Sequence, residues 1–457
     1  MEVSPIKSKA VVRLGYACLN MSLKDAGMRK MTQTTMLKAT DQTEISNRLR
    51  ELASHNLRSV SKILDWNYLK GIGFFRMSSD LFPLISSPKL ETALGKTLAK
   101  EYTSLEPFKP LIGEIGRKAV DYSIRLTFHP NEFACLGGEN PEVVEAAMRD
   151  LRVLARLFDL MIDSAADQAG KDSYKEYFKD SVFILHGGGK YGDKAKTLER
   201  WAKVYNESPE NIKNRLVVEN DERNYSPMDL LPMCEKHNIP MCVDFFHQQC
   251  YEIMHPDEPK ANWDDILPRT LEIWRKRGIR PKYHVSEQQP KKRLGAHSLY
   301  IDDLPPALQK YLDKEGMFDV MLECKTKDLA LLKLLEKRPH LKDYLPESCK
   351  NPSKDLVKEV NGGVMPKLEE LPEDEKGKNV EGEEESCCPK QMHEENKQNR
   401  ERSRAKEKKP KAAPKAKKSS KSSKKTCDES CEEDDCDESS EYTPVTRSSS
   451  KKQAVKQ

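Results

Sequence analysis

The stretch Ser181-Val-Phe-Ile-Leu-His186 is a short run of β-branched and aromatic residues that ends at a histidine. The same pattern recurs in Ser-Ile-Arg-Leu-Thr-Phe-His129 and in Arg-Leu-Val-Val-Glu219. Continuous apolar runs are typical of parallel strands, because both faces of such strands are buried. A polar side chain at the end of each run indicates one site, built where the carboxyl ends of several parallel strands meet.

Eight runs of this type follow one another along the chain and predict eight strands. They cover residues 11–16, 72–76, 124–128, 182–185, 216–218, 241–243, 283–285 and 319–322. Helical periodicity between most of them is clearest in residues 142–163, 195–205, 228–237 and 265–277. Strands that alternate with helices predict a parallel sheet, and eight such units predict an α/β fold of the (β/α)8 TIM-barrel type.

The chain divides by composition into three parts. We expect a flexible N-terminus in residues 1–10, the barrel domain in residues 11–350, and a disordered, low-complexity charged tail in residues 351–457. Within the tail, residues 402–425 hold twelve Lys and Arg against the single acid Glu407, and residues 428–441 are acidic. A basic block of this kind indicates an arm that binds DNA or a nuclear import receptor, with a plain solubilising linker as the alternative.

Neither membrane insertion nor export is expected from this sequence. No run of about 18 apolar residues is present, and residues 1–30 lack a compact apolar stretch followed by a cleavage site. The twelve cysteines have no regular paired spacing, which is typical of reduced thiols. We therefore expect an intracellular monomer, located in the nucleus if its source is a eukaryote or a virus of a eukaryotic host.

Nine side chains of metal-binding type lie at or near the predicted strand ends. They are His129, His186, Glu219, Asp244, His247, Lys282, His284, His297 and Glu323. Imidazole and carboxylate donors together favour Mn²⁺, Zn²⁺, Fe²⁺ or Co²⁺ over Ca²⁺, and eight such donors exceed the coordination shell of one ion. The set therefore predicts two or three ions, an arrangement that suits the hydrolysis of a phosphate ester.

Spacing along the chain supports one shared site for two pairs of these residues. Asp244 and His247 are three residues apart just past a strand end, and Lys282 and His284 alternate by two on one strand face. Lys282 is the exception among the nine, because metal ions repel an ammonium group. It serves as a ligand only if its charge is altered; pairing with a glutamate and binding of a phosphate are the alternatives.

Five ordered motifs carry a resemblance to a known family. They are Arg13-Leu-Gly-Tyr16-Ala-Cys18-Leu-Asn20, Thr127-Phe-His129-Pro130, His186-Gly-Gly-Gly-Lys-Tyr-Gly192-Asp193-Lys194, Val218-Glu219-Asn220-Asp221 and Tyr283-His284-Val-Ser286-Glu287. Over about residues 11–335 the chain resembles the ultraviolet-damage endonucleases. The resemblance implies a barrel similar to the abasic-site endonucleases that nicks a DNA strand immediately 5′ to a lesion. Cyclobutane dimers, 6-4 photoproducts and also abasic sites are the implied substrates, and the nick leaves a 3′-hydroxyl and a 5′-phosphate.

The resemblance also assigns roles to the nine positions. In that family the eight histidine and carboxylate positions bind a trinuclear manganese-type site, with Mg²⁺, Co²⁺ or Zn²⁺ as alternative ions. The position that matches Lys282 is carboxylated there, and the resulting carbamate anion removes the charge conflict. Catalysis is expected to depend on His129, Glu219, Lys282 and Glu323.

Binding of damaged double-stranded DNA is implied for a further group of residues. Tyr16 and Asn20 match positions near a flipped lesion. Glu132 and Phe133 match a pair that wedges into the duplex, and an aromatic ring is a suitable wedge between bases. A damaged dinucleotide is already poorly stacked, so its extrusion costs less than that of normal bases.

The glycine loop after the second histidine has the composition of a phosphate contact. Lys190 and Lys194 of this loop are expected to contact DNA phosphates, whereas the order of a nucleotide-binding P-loop is absent. Three positions depart from the pattern of the family. Glu132 stands where glutamine is usual, Phe246 where histidine is common, and Leu299 where aspartate often occurs.

Two functions of other classes remain open. A non-catalytic binder of damaged DNA would share the fold without making a nick, but it predicts lost ligands, and all nine positions are filled. A metal-dependent sugar isomerase would use a similar set of acids and histidines in a smaller pocket. It has no use for Phe133 as a wedge or for the basic arm.

Overall fold

The computed structural model describes residues 10–130, 134–169, 171–312, 314 and 316–361. Eight parallel strands close into a barrel in which each strand pairs with the next one in the chain and the last returns to the first. The strands are β1 (Val11–Ala17), β2 (Phe74–Met77), β3 (Arg125–Phe128), β4 (Phe183–His186), β5 (Leu216–Glu219), β6 (Met241–Asp244), β7 (Lys282–Val285) and β8 (Met317–Leu322). Each overlaps a predicted strand, so the predicted (β/α)8 barrel is confirmed.

Helices occupy the connections between the strands. The described α-helices are α1 (Gln33–Lys38), α2 (Gln42–Leu69), α3 (Leu90–Thr103), α4 (Lys109–Asp121), α5 (Pro141–Ala169), α6 (Lys171–Phe178), α7 (Lys194–Glu207), α8 (Glu210–Lys213), α9 (Pro227–His237), α10 (Phe245–Met254), α11 (Trp263–Arg277), α12 (Pro306–Leu312), α13 (Asp328–Lys337), α14 (Glu347–Lys350) and α15 (Lys354–Asn361). Short 3-10 helices are formed by Ser79–Leu81, Glu106–Phe108 and Pro339–Tyr344. The four helices predicted from periodicity correspond to α5, α7, α9 and α11.

Strand register brings the polar strand ends to one level. His186 lies beside Glu219 in the pairing of β4 with β5, and Asp244 lies beside His284 in the pairing of β6 with β7. Neighbouring strands are about 4.8 Å apart, and alternate residues point to the same side of the sheet. Side chains from several strands therefore converge on one mouth of the barrel.

Buried ion pairs hold the opposite end of the barrel together. Asp319 of β8 is fully buried and accepts hydrogen bonds from Nε of Arg13 (3.0 Å) and Nη1 of Arg125 (2.8 Å). Nε of Arg280 lies 2.7 Å from the same carboxylate. Burial alone would raise the pKa of Asp319, but the three guanidinium groups lower it well below its usual value. Buried ion pairs therefore fill this end of the barrel, and the candidate functional site lies at the other end.

Helix α15 lies beyond residue 350, where the sequence predicts that the tail begins. The backbone N–H of Ser353 donates to the hydroxyl of Tyr68 (2.6 Å), and Leu356 and Val357 pack against the core. Residues 1–9 and 362–457, which include the predicted basic and acidic blocks, lie outside the described residues. None of the helices within the described ranges has the length and apolar character needed to cross a membrane.

Candidate metal centre

Strands β3 to β8 bring the nine predicted metal-binding residues to the mouth of the barrel. His129 directly follows β3, His186 ends β4, Glu219 ends β5, Asp244 ends β6, Lys282 and His284 belong to β7, and Glu323 directly follows β8. His247 lies in the first turn of α10, and His297 lies in the connection between β7 and α12.

Glu219 is the centre of this group. Its Oε2 lies 3.2 Å from Nε2 of His129 and 3.4 Å from Nε2 of His186, and its Oε1 lies 2.6 Å from Nδ1 of His284. The side chain is almost fully buried. Burial alone would raise the pKa of Glu219, but the surrounding histidines lower it well below its usual value. The carboxylate is therefore held as an anion among imidazoles from three other strands.

A helix cap explains the spacing of Asp244 and His247. β6 ends at Asp244 and α10 begins at the next residue, so no loop separates the two elements. Oδ1 of Asp244 accepts the backbone N–H of His247 (2.7 Å), which is an N-cap on the third residue of the helix. Oδ2 has no hydrogen-bond partner among the described residues and lies 3.9 Å from Nδ1 of His247. Oδ1 of Asp244 thus caps the helix, while Oδ2 remains available to bind a metal ion.

Glu323 closes the ring of donors on the β8 side. Its Oε1 lies 3.1 Å from Nδ1 of His284 and forms a salt bridge with Arg76 of β2. Burial alone would raise the pKa of Glu323, but Arg76 and His284 are the main groups that lower it well below its usual value. Arg76 therefore positions this carboxylate in its charged form.

The tautomers of three histidines follow from their backbone partners. Nδ1 of His129 lies 2.9 Å from the carbonyl oxygen of Pro130. Nδ1 of His247 lies 3.0 Å from the carbonyl oxygen of Asn220, and Nδ1 of His297 lies 2.6 Å from that of Glu323. A carbonyl oxygen can only accept, so Nδ1 carries the proton in the neutral ring and Nε2 keeps its lone pair. This carbonyl-anchored arrangement is the one that metal-ligating histidines adopt.

The donor set fits metal ions because acceptors face one another inside it. With Nδ1 of His129 donating to the backbone, Nε2 and the ionised Glu219 both present lone pairs across 3.2 Å, an arrangement that a shared cation would stabilise. Four groups of potential ligand atoms lie within 4.8 Å of one another: His129, His186 and Glu219; Glu219, Asp244 and His247; Asp244, His284 and Glu323; and Glu219, Cys242 and His284. Because Glu219 and Asp244 each belong to more than one group, the arrangement can hold more than one ion.

Lys282 begins β7, two residues before His284, and lies beside Asp319 in the pairing of β7 with β8. The side chain is fully buried, and its Nζ has no hydrogen-bond partner among the described residues. Nζ lies 5.5 Å from the centroid of the Phe74 ring. Burial lowers the pKa of Lys282 to about 8, so a substantial fraction of the amine is neutral near physiological pH. An unpartnered, partly neutral amine beside a metal centre is an unusual feature of a protein interior.

The sequence of residues 12–353 matches the family described as UV-endonuclease UvdE. The chain belongs to this family. A protein of Acanthamoeba polyphaga mimivirus is 36% identical over 325 residues, which cover 71% of this chain and 90% of that protein. A UV-damage endonuclease of Schizosaccharomyces pombe is 32% identical over 329 residues, which cover 70% of this chain and 50% of that protein. The chain therefore spans about half the length of this fungal relative.

A solved structure agrees with the family assignment. The crystal structure of SacUVDE aligns with a TM-score of 0.58 at 26% identity, and the alignment covers 72% of this chain and 99% of that one. The resemblance inferred from the motifs is confirmed, and membership of the UvdE family supports a DNA repair endonuclease for ultraviolet damage. The clusters of histidines and carboxylates at the mouth of the barrel could hold metal ions.

Two residues expected near a lesion bind each other. Tyr16 is fully buried, and its hydroxyl donates to Oδ1 of Asn67 (2.6 Å) and accepts from Nδ2 of Asn20 (2.7 Å). Oδ1 of Asn20 accepts the backbone N–H of Leu23 (2.9 Å), which fixes the loop after β1. These hydrogen bonds hold Tyr16, Asn20 and the loop after β1 in fixed positions. Direct contact of Tyr16 or Asn20 with a lesion stays a prediction.

The other residues expected to bind DNA differ in their surroundings. Glu132 and Phe133 lie outside the described residues. Lys190 is exposed on the loop after β4. Nζ of Lys194 instead pairs with Asp229 (3.0 Å) and donates to the hydroxyl of Tyr251 (2.8 Å). A phosphate contact by Lys194 stays a prediction, and it would compete with these two bonds.

Two of the departures from the family pattern lie beside the site. The ring of Phe246 is buried, and its centroid lies 5.2 Å from that of His297 in an edge-on contact. It therefore packs against His297 without offering a donor atom. Leu299 is 40% exposed two residues after His297, so an apolar surface replaces the usual acid there.

Three residues of the site were not singled out from the sequence. Arg76 binds Glu323, and Cys242 lies with Glu219 and Asp244 on adjoining strands. Nδ2 of Asn220 donates to the carbonyl of Asp244 (2.9 Å), and its Oδ1 accepts the N–H of that residue (2.9 Å). Period-two alternation could have indicated Cys242, which is two residues before Asp244. Burial raises the pKa of Cys242 well above its usual value, so its thiol stays neutral.

Proposed function

We propose that this chain cuts the phosphodiester bond immediately 5′ to pyrimidine photoproducts in duplex DNA and leaves a 3′-hydroxyl and a 5′-phosphate. Abasic sites are proposed as further substrates, because they too weaken local stacking. The observation that carries the proposal is the position of Glu219 among three imidazoles at the mouth of the barrel. Family membership supplies the class of reaction and substrate.

The proposed cofactor is two or three Mn²⁺ ions, with Mg²⁺, Co²⁺ and Zn²⁺ as alternatives. The residues that would hold them are His129, His186, Glu219, Asp244, His247, Lys282, His284, His297 and Glu323. Bound ions of this kind lower the pKa of a water molecule and stabilise the attacking and leaving oxygens of a phosphodiester. Five imidazoles in the set favour Mn²⁺ over Mg²⁺.

The protein's own contribution is preorganisation of the donors. The carbonyl contacts of His129, His247 and His297 fix Nδ1 of each ring as the donor to the backbone, which leaves Nε2 as the nitrogen available to a metal ion. Burial lowers the pKa of His129, which keeps that ring neutral at physiological pH. Arg76 holds Glu323 in place, so the donors need little rearrangement when a phosphate arrives.

We also propose that Lys282 is carboxylated. The neutral amine attacks CO₂, a nitrogen–carbon bond forms, and one proton is released, which leaves a carbamate anion. The low pKa of about 8 supplies the neutral amine, and Nζ has no hydrogen bond among the described residues that the reaction would have to break. The carbamate replaces an ammonium cation, which metal ions would repel, by an anion whose charge is shared by two oxygens. These oxygens are suited to bridging metal ions.

Lesion recognition is proposed to use the residues at the barrel mouth. Glu132 and Phe133 wedge into the duplex, while Tyr16 and Asn20 shape the pocket that receives the extruded dinucleotide. Lys190 contacts the DNA backbone from the exposed loop after β4. The tail is proposed to add DNA affinity or to carry a nuclear import signal, and the protein is proposed to act as a monomer.

The experiment that tests the function uses the purified chain, Mn²⁺ and end-labelled duplexes with one cyclobutane dimer, one abasic site or no lesion. Cleavage is mapped on a sequencing gel. A single nick directly 5′ to the dimer is expected, and chelation should abolish it. The Glu219→Gln variant should nick more than about 100-fold more slowly, since even indirect partners of metal ligands contribute 10- to 100-fold.

The alternative of a non-catalytic damage binder is favoured if the lesion duplex is bound but never cut. In that case the Glu219→Gln variant should bind like the wild type. Absence of both binding and cutting would contradict the proposal and favour a small-molecule barrel enzyme.

A further inference from the structure

A basic hairpin follows β7 and ends at a metal-site histidine. We define it as residues 287–298. Its two arms are joined by an antiparallel bridge between Gln288 and His297, by a hydrogen bond from the N–H of Gln289 to the carbonyl of Ala296 (2.7 Å), and by one from the N–H of Ser298 to the carbonyl of Glu287 (2.8 Å). The connection is therefore an ordered element with a fixed base.

One side chain shapes the tip of the basic hairpin. Nε2 of Gln288 donates to the carbonyl of Arg293 (2.8 Å), and Oε1 of Gln288 accepts the N–H of Gly295 (2.9 Å). Lys291 and Gly295 have positive φ values of 62° and 86°, which turn the chain back on itself. The amide of Gln288 thus fills the turn and fixes the direction of the residues at its tip.

Three adjacent cations occupy this tip. Lys291, Lys292 and Arg293 are all exposed, and no carboxylate lies within salt-bridge distance of any of them among the described residues. Many other exposed cations of the barrel have such a partner, for example Arg275 with Glu272 (2.9 Å). Exposed like charges side by side repel each other, so an ordered run of three is a surface suited to a polyanion.

The tip lies close to the metal centre along the chain. His297 lies four positions after Arg293, so at about 3.3 Å per residue the backbone of the tip is at most roughly 13 Å from that histidine. A DNA strand rises about 3.4 Å per nucleotide, so this reach corresponds to about four nucleotides. The backbone N–H of Lys325 donates to the carbonyl of Ser298 (3.0 Å), which places another exposed lysine at the base of the hairpin.

We propose that the basic hairpin is a backbone clamp that binds phosphates of the duplex within a few nucleotides of the cut, through Lys291, Lys292 and Arg293. This inference rests on the proposed function, because it takes DNA as the polyanion. The clamp sets the register of the strand over the metal centre and carries no information about the lesion. It therefore binds damaged and undamaged duplexes equally.

The clamp is tested with the full chain and three variants. Lys291→Ala with Lys292→Ala and Arg293→Ala removes the charge, and Lys291→Arg with Lys292→Arg and Arg293→Lys keeps it. The control is Lys203→Ala with Lys236→Ala and Lys276→Ala, because these exposed lysines lie near the C-terminal ends of α7, α9 and α11, away from the mouth. The affinity for a 30-base-pair duplex with or without one dimer is measured from about 50 to 200 mM salt.

Removal of the three charges should lower the affinity for both duplexes by the same factor. The slope of log affinity against log salt should become shallower by roughly 2 to 3, since each phosphate contact contributes about 0.9. The affinity for Mn²⁺ should stay at the wild-type level. The charge-conserving variant and the control should retain the wild-type slope.

An unchanged salt slope in the alanine variant would overturn the clamp, as would a loss confined to the damaged duplex. A fall in Mn²⁺ affinity with an unchanged slope would also overturn it, because the hairpin would then act only by holding His297. Failure of the proposed function gives a different result, since the wild type itself would then leave the dimer duplex uncut.

Discussion

Nδ1 of His284 lies 2.6 Å from Oε1 of Glu219, and this contact joins β7 to β5 at the level where the barrel opens. The same nitrogen lies 3.1 Å from Glu323 of the β8 end. One imidazole therefore bridges two carboxylates that would otherwise repel each other in a buried space. Removal of either carboxylate changes the charge of the whole donor set.

The Glu219→Gln substitution should reduce metal binding. The amide keeps the shape of the side chain but loses the anion shared by three histidines, so we expect fewer Mn²⁺ ions per chain and weaker binding of those that remain. Isothermal titration and metal analysis of the dialysed protein measure both quantities. The matched control is Glu207→Gln, an exposed residue at the end of α7, and equal Mn²⁺ content in all three proteins would contradict the assignment.

Metal loading should improve as the pH rises. Burial opposes the charged form of His247, but Asp244 and Glu219 raise its pKa to about 10, and Glu219 raises the pKa of His186. The His247 ring is therefore protonated at neutral pH in the metal-free protein, and an incoming ion must displace that proton. Apparent Mn²⁺ affinity should therefore increase from pH 6 to pH 8.

Proton release measures this competition directly. Titrations with Mn²⁺ at pH 7 in buffers of different ionisation enthalpy should give a net release of protons for each chain loaded. No release, or an affinity that falls as the pH rises, would mean that these histidines are neutral in the free protein or do not bind the ions.

Carboxylation of Lys282 predicts a requirement for CO₂. Protein prepared without CO₂ should bind Mn²⁺ more weakly and nick more slowly, and added bicarbonate should restore both. The Lys282→Arg variant keeps the positive charge but cannot form the carbamate, so bicarbonate should leave it unchanged. A carbamate signal from ¹³C-labelled bicarbonate, seen by NMR in the wild type only, is the direct measurement; its absence would contradict the modification.

Asp319→Asn should destabilise the barrel without touching the metal centre. It leaves Arg13, Arg125 and Arg280 without their shared anion, and breaking a buried ion pair in this way costs about 3 to 5 kcal/mol. Urea unfolding measures the loss. Asp302→Asn, at an exposed acid that pairs with Lys337, is the control and should change the stability little.

The carboxylate of Asp319 also predicts that the folded protein loses stability at low pH. The pKa of Asp319 is lowered in the folded state, so its contribution is complete above the unfolded value of about 3.9. It is lost as the pH falls from about 4 through the folded value. The wild type should therefore lose stability below pH 4 more steeply than Asp319→Asn; parallel curves for the two proteins would contradict this role.

The barrel could be predicted from the sequence because buried parallel strands leave a strong local pattern. The runs that end at His186 and Glu219 are apolar throughout, and both correspond to strands. Strand ends differ by one to two residues, since pairing decides the last hydrogen bond. Helix α15 was not predicted, because its eight residues lie in a charged region and are held by packing of Leu356 and Val357.

The sequence places the candidate donors at the ends of strands, and this placement agrees with the structure, but it does not indicate the residues that surround them. Metal-binding side chains at strand ends can be read along the chain, but the salt bridge of Arg76 with Glu323 joins residues far apart in sequence. Likewise, the residue type of Lys194 indicates a phosphate contact, whereas only the fold brings Asp229 within 3.0 Å of it. Through-space partners of this kind depend on the closed barrel and leave no local signal.

The ring of Phe74 has a consequence for how this barrel can change over time. Its centroid lies 5.5 Å from Nζ of Lys282 and also 5.5 Å from the guanidinium carbon of Arg125. The ring of Phe74 therefore packs near both Lys282 of the candidate metal centre and Arg125, which binds the buried Asp319. A substitution at this position would change the surroundings of both cations at once, so evolution cannot adjust the packing of one cation through this ring without affecting the other.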